Sequence, residues 1–237
     1  MPEYVTTFAI RGGRAPHFSR QLAWLRDTAA LSPLKLTEVR TTLQELGPDD
    51  VRPVIRADQG AVSVSIRSLP ALPESHVLDA EPILDRRVQP VFTGPDLGWQ
   101  NRQLAQLAAR GAVEGLLVDE AGAVISAVRS GLLVILPGEV VVSSHPRTPQ
   151  SVIRNAVLDL LAERGVTVTE RPAGLPLSEL RVNETWTVGS VNGVRRVTGW
   201  REYGSVLTAP TLPDDQRGGV PTADEVETHR WAHAEEI

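Results

Sequence analysis

The chain contains no cysteine and only one lysine, Lys35. The first absence excludes disulfides, thiolate nucleophiles, cysteine-held zinc and iron–sulfur clusters. The second leaves Lys35 as the only lysine able to form an imine with a carbonyl compound. Every other basic side chain in the Lys and Arg total of 24 is an arginine. With a formal net charge of -5 there is no basic footprint for nucleic acid, and none is expected as a partner. No apolar run reaches the ~18 residues that span a bilayer, so no membrane association is expected. The opening MPEYVTTFAIRGG lacks the basic-then-apolar order of a secretory signal, and the expected location is cytoplasmic. The nucleophile elbow GxSxG and the phosphate-binding P-loop pattern are also missing.

The 237 residues suffice for two lobes with buried cores. EYVTTFAIRGGRAPHF predicts a hairpin around Gly12 and Gly13. SRQLAWLRDTAALS and LTEVRTTLQELG predict two helices, and the run from Asp50 to Pro70 two strands around a DQG turn. Pro70, Pro73, Pro82 and Pro90 then space out a stretch that reads as the connection between lobes. Beyond it, DLGWQNRQLAQLAARG predicts a helix and EGLLVDEAGAVISAVRSGLLVILPGEVVVSS four short strands. TPQSVIRNAVLDLLAERG is the clearest amphipathic helix, with Thr148 as the expected cap and Pro149 at its first position. A strand (VTVTERP), a short helix (LPLSELRV) and a hairpin around an NG turn follow. The organisation expected is an N-terminal lobe over 1–88, a C-terminal lobe over 89–207 and a polar tail over 208–237 with one short helix at its end.

Several of these segments, in this order, resemble the fold-type IV pyridoxal-phosphate (PLP) enzymes: branched-chain and D-amino-acid aminotransferases and aminodeoxychorismate lyase. The segments are GAVEGLLVDEAGAVISA, RTPQSVIRNAVLDLLAERGVTVTERP, ETWTVGSVNGVRRVTGW and FSRQLAWLRDTA, covering roughly residues 4 to 201. The resemblance implies an α+β, two-lobed fold of the D-amino-acid aminotransferase kind. Its N-terminal α/β lobe is small, and its larger C-terminal lobe is β-barrel-like and carries helices. It also implies a homodimer with the site between the lobes.

The family's lysine holds PLP as an imine, its arginine and a helix N-terminus hold the phosphate, and its glutamate keeps the pyridine nitrogen protonated. In this sequence those three side-chain positions are Thr93 in VFTGPDLGW, Trp24 in QLAWL and Ser126 in VISA, with Gln21 where the family has a histidine. The expectation is therefore that PLP chemistry is lost and that no cofactor is used. Thr93, Ser126 and His145 are the candidate catalytic residues. Trp24, Arg129, Arg147, Thr148, Ser190, Asn192 and Arg195 are the candidates for binding an anionic small molecule, since arginines in a cleft suit carboxylates and phosphates. Three functions stay open: a PLP-independent hydrolase, lyase or cyclase; a non-catalytic binding or partner protein; and a genuine aminodeoxychorismate lyase or aminotransferase. Asp119-Glu120 reads as a turn pair, and His229 and His233, spaced i, i+4, as a solvated helix end without a third metal ligand.

Overall fold

The computed structural model describes residues 3–72 and 75–237; Pro73 lies outside the described residues. In the N-terminal lobe, β1 (Tyr4–Thr7) and the two-residue β2 (Arg14–Ala15) precede α1 (Phe18–Ala29), α2 (Pro33–Gln44), β3 (Val51–Asp58) and β4 (Ala61–Ser68). β3 and β4 form the hairpin expected around DQG, with Gln59 and Gly60 both at positive φ, as a tight primed turn requires. The expected opening hairpin is replaced. β1 lies along β3, whose eight residues offer a longer partner than β2, and the Gly12–Gly13 turn is closed only by a bridge between Arg11 and Arg14. α1 and α2 cover this sheet through a core of Phe8, Ile10, Phe18, Leu25, Val39, Leu43 and Ile55. α2 starts at Pro33, earlier than expected, because the Ser32 hydroxyl accepts from the Lys35 N–H and Pro33 fits the first turn.

The C-terminal lobe begins with β5 (Val77–Leu84), inside the stretch read from its prolines as a connection. Pro82 is tolerated there because the ladder between β5 and β6 shifts register between Asp79 and Ile83. α3 (Leu97–Ala109), β6 (Glu114–Val118), β7 (Val124–Ala127), β8 (Gly131–Leu136) and β9 (Glu139–Ser143) follow as expected. Next come α4 (Val152–Glu163), β10 (Thr167–Arg171), α5 (Leu177–Val182), β11 (Glu184–Gly189), β12 (Gly193–Arg196), β13 (Gly199–Glu202) and β14 (Ser205–Thr208). Two five-stranded sheets result, ordered β10-β9-β8-β11-β12 and β14-β13-β5-β6-β7. Residues of both, among them Leu78, Leu116, Val134, Val141 and Trp200, share one apolar core. α4 packs on the outer face of the first sheet against Leu133, Val142 and Trp186, and α3 on the outer face of the second against Leu117 and Val128. The fold is thus α+β and two-lobed, as the resemblance implied, with the two five-stranded sheets of the C-terminal lobe wrapped on a shared core.

The polar tail is folded. α6 (Ala223–Ala232) carries a complete capping box between Thr222 and Glu225 and lies on β12, where the Glu227 carboxylate accepts from the Val194 N–H at 2.8 Å. Gly193 is required at that contact, since a Cβ there would sit 2.3 Å from Glu227 Oε1. β15 (Glu235–Glu236) then pairs with β2, so one segment holds on to both lobes.

Candidate functional site

Thr93 sits at the seam between the lobes. Its carbonyl accepts from the Val5 N–H of β1 at 2.9 Å, and Gly94 passes so close to the chain at Glu3 that any Cβ would lie 2.0 Å from the Glu3 carbonyl oxygen. The same N-terminal segment reaches the β11–β12 turn, where the Ser190 carbonyl accepts from Ala9 N–H at 3.3 Å. Asp96 fixes the entry to α3 from behind. Its carboxylate accepts from Val88 N–H and Gln89 N–H at 2.9 and 2.8 Å. The loop before α4 joins the same seam, with Gln150 N–H donating to the Val91 carbonyl at 2.9 Å.

Behind the seam lies an ion cluster that sequence reading missed. Asp85, whose side chain is shielded from solvent, accepts from Arg87 Nε and Nη2 at 2.8 and 2.9 Å and from Arg147 Nε at 3.0 Å. Arg147 also donates to the carbonyls of Asp85 and Arg87, and Arg87 to those of Pro90 and Arg147. Burial alone would raise the Asp85 pKa, but the hydrogen bonds from the two arginines outweigh it and hold the carboxyl below its ordinary range. Arg147 is therefore committed to tying segment 85–91 to the loop before α4. The signal available in the sequence was LDRR directly after an apolar strand, where a charge pair is unusual.

The helix end expected at Thr148 is displaced. Thr148 Oγ1 is paired with Ser143 Oγ at 3.0 Å, and α4 starts at Val152 with the Ser151 hydroxyl accepting from Arg154 N–H. The remaining first-turn N–H groups of α4, at Val152 and Ile153, have no intrahelical acceptor and form the anion-favouring end. His145 is also engaged. Its Nδ1 accepts from Arg147 N–H at 3.2 Å, which leaves Nε2 facing the Asp119 carboxylate at 3.6 Å. Asp119 itself closes the expected turn by accepting from Ala121 and Ala123 N–H.

Ser126 is fully buried opposite Leu117, on the sheet face that α3 covers, and its Oγ has no hydrogen-bond partner. Gln21, on α1, is likewise buried. Its Oε1 accepts from Thr6 Oγ1 at 2.9 Å, while its Nε2 has no partner. Trp24 packs edge-on against Tyr4, which packs edge-on against Phe92 beside Thr93, so an aromatic run stands next to the seam.

The other candidates lie apart from Thr93. Arg195 faces Thr187 across β11–β12 and borders a recess of about 320 Å³ with His76, Thr198, Thr211 and Arg217, at the end of the hairpin away from Ser190 and Asn192. His76 is buried, with Nε2 on Thr187 Oγ1 at 2.7 Å; burial first, and Arg195 second, lower its pKa to about 4. Arg129 follows β7, where its backbone N–H donates to the buried Glu114 and its guanidinium to Asn101. Among the described residues no cluster of metal-ligating side chains occurs.

The profile of the family described as amino-transferase class IV matches residues 5–200, and the chain belongs to that family. A 4-amino-4-deoxychorismate lyase from Pseudomonas aeruginosa is similar in structure, with a TM-score of 0.71, 20% identity and coverage of 98% of this chain and 91% of that one. An aminotransferase from Brucella abortus bound to PLP gives 0.73, 21%, 98% and 89%, and a hypothetical aminotransferase from Mycobacterium tuberculosis in its α-ketoglutarate and PMP bound form 0.72, 15%, 96% and 89%. No curated protein matches. These matches correct the expectation that no cofactor is used: the Brucella protein holds PLP, a PLP-bound form of the Mycobacterium protein is also similar, and the family points to PLP. The expectation of no cofactor was drawn from three side chains, whereas family and fold are carried by the whole chain.

The residues present do not fit PLP held as an imine. Lys35 lies on α2, partly exposed and ion-paired with Glu38 at 2.7 Å, and Thr93 has no amine. Trp24 offers no charge to a phosphate, and the Ser126 hydroxyl none to a pyridinium.

Proposed function

We propose that this class IV aminotransferase-family chain binds a small anionic molecule reversibly at the seam between its lobes, through hydrogen bonds and the N-terminal end of α4. The observation that carries this reading is the pair of buried, unpartnered polar atoms, Ser126 Oγ and Gln21 Nε2, at positions matching the family's site segments. Buried polar atoms are almost always satisfied, and leaving one bare costs about 1–3 kcal/mol, which a polar ligand would relieve. Binding is favoured over turnover because two of the three candidate catalysts, His145 and Ser126, are occupied or unassisted. His145 Nδ1 is taken by the Arg147 N–H, and the Ser126 hydroxyl has no hydrogen-bond partner to act as a base.

PLP and PMP are the first compounds to test, because proteins similar in structure hold them. Titration calorimetry with each, followed by borohydride reduction and mass spectrometry, is expected to show saturable binding and no reduced lysine adduct. A stoichiometric adduct on Lys35, or no binding of either compound or of simple phosphates and carboxylates, overturns the proposal.

A further inference from the structure

The recess of about 320 Å³ beside β12 is walled by three parts of the chain: the end of β12 with Thr198, the segment that leads into α6, and the first turn of α6. One side of it is an ion pair that is already complete. The Glu184 carboxylate, shielded from solvent, accepts from Arg217 Nη2 with both oxygens at 2.9 and 2.8 Å, from Trp186 Nε1 at 2.6 Å and from Leu212 N–H at 2.9 Å. Those two charges cancel, so the character of the recess is set by the groups around them.

Those groups are mostly donors. Backbone groups of an antiparallel strand turn alternately toward the partner strand and away from it. Val197 N–H donates to the Thr185 carbonyl at the end of β11, and Val194 N–H turns outward to Glu227. Arg196 N–H, two residues from Val194, therefore also points outward, and it has no acceptor among the described residues. The Arg196 guanidinium donates to Thr211 Oγ1 at 2.7 Å and makes no ion pair among the described residues. Thr198 Oγ1 accepts from His76 N–H at 2.8 Å, so the hydrogens of both threonine hydroxyls are left to give. In α6 the capping box serves Thr222 and Glu225, while the N–H groups of Ala223, which is buried, and Asp224 have no acceptor among the described residues. His76, only 2% exposed, lines the recess too; its Nε2 is taken by Thr187 Oγ1 and its Nδ1 has no partner.

A guanidinium, two hydroxyls and a helix start around one cavity suit an oxyanion. Asp214 and Asp224, both exposed, also border the space, and their field opposes a ligand with two or more negative charges. We infer that the recess between β12 and α6 is a binding site for a small molecule bearing a single carboxylate, held by Arg196, by the Thr198 and Thr211 hydroxyls and by the first-turn N–H groups of α6. This goes beyond the proposed function and does not depend on a ligand at Thr93 or Ser126.

The test is a titration of the full chain, labelled with nitrogen-15, with sodium acetate and, separately, with inorganic phosphate at the same ionic strength. Acetate is expected to shift the amide signals of Arg196, Ala223 and Asp224 saturably, and phosphate to do so more weakly. Arg196→Gln is expected to weaken acetate binding at least tenfold. Ala223→Pro removes one N–H at the first position of α6, where proline is accepted, and is expected to weaken binding while the melting temperature holds. Arg20→Gln, which removes an exposed pair between α1 and α4, leaves the titration unchanged. Ser126→Ala also leaves it unchanged, which separates this site from the seam: PLP or PMP binding that Ser126→Ala weakens supports the proposed function whatever acetate does at the recess. The inference is overturned if acetate does not move these three amides, if phosphate binds there more tightly than acetate, or if folded Arg196→Gln and Ala223→Pro proteins both bind acetate as wild type does.

Discussion

The interior of the C-terminal lobe and the seam between the lobes are both buried, but they are built from opposite materials. Between the two five-stranded sheets the core is Leu, Val, Ala and one Trp. At and behind the seam the buried groups are the Asp85 side chain, Arg87, Asp96 and Gln21, with Ser126 buried beneath α3. The first region is stabilised by area removed from water, which tolerates many sequences. The second is stabilised only if each polar atom meets its own partner, so a single missing partner is felt in full. Conservation of fold with replacement of site side chains is easy in a molecule so divided, because the sandwich does not depend on what lies at the seam.

The sharpest way to break this contrast is Asp85→Ala. It strands the Arg87 guanidinium, only 2% exposed, and removes the anchor of Arg147. A loss of about 3–5 kcal/mol in urea unfolding is expected, at least matching Leu133→Ala in the core at about 2–5 kcal/mol. A loss under ~1 kcal/mol would show the cluster to be incidental. The pH dependence has a definite sign: because the folded Asp85 pKa is depressed, its stabilisation is present above the ordinary value of 3.8 and is lost as pH falls through the lower folded value.

His76 gives the next largest effect. Its folded pKa, near 4 against an ordinary 6.5, means that the folded state resists protonation; stability is full above pH 6.5 and falls as pH drops toward 4, by up to about 3 kcal/mol. His17, also lowered to about 4, acts in the same window, so the measurement is the difference between wild type and His76→Asn in urea midpoints from pH 4 to 7. Identical slopes would rule out the His76 contribution. The smallest effect is Ser126→Ala, expected to leave the free protein unchanged or more stable by up to about 1 kcal/mol, since the hydroxyl has no partner to lose. The same variant is expected to bind PLP or PMP more weakly. A marked destabilisation without ligand would reveal a partner for the hydroxyl.

Sequence reading found what is periodic and local. The β3–β4 hairpin, α3, the run β6–β9 and the β11–β12 turn all follow from alternation and turn residues. It failed where a distant contact decides. Thr148-Pro149 has the form of a helix start, but Ser143 takes the hydroxyl, and Ser151 caps α4 instead. Pro82 hid β5 because the compensating bulge belongs to its pairing with β6. The tail looked polar because its apolar anchors are few and scattered, Val220, Ala223 and Val226 on the core beneath α4, among polar contacts such as Arg14 on the Ala234 carbonyl and Glu235 on Ser19. Thr93, Trp24, Ser126 and Ser190 were named as candidates through resemblance alone. The Asp85–Arg87–Arg147 cluster was not foreseen, because the pairing of a charge is a property of three dimensions.

The segment from α6 to β15 has a mechanical consequence. It rests on β12 of one lobe and hydrogen-bonds β2 of the other. The lobes therefore cannot separate like two beads on a string, and opening the seam wide must peel β15 or bend the chain just before it. The amide hydrogens of β15 and β2 are the natural strain gauge for that motion: their exchange rates, measured with and without a ligand at the seam, report how far the molecule breathes.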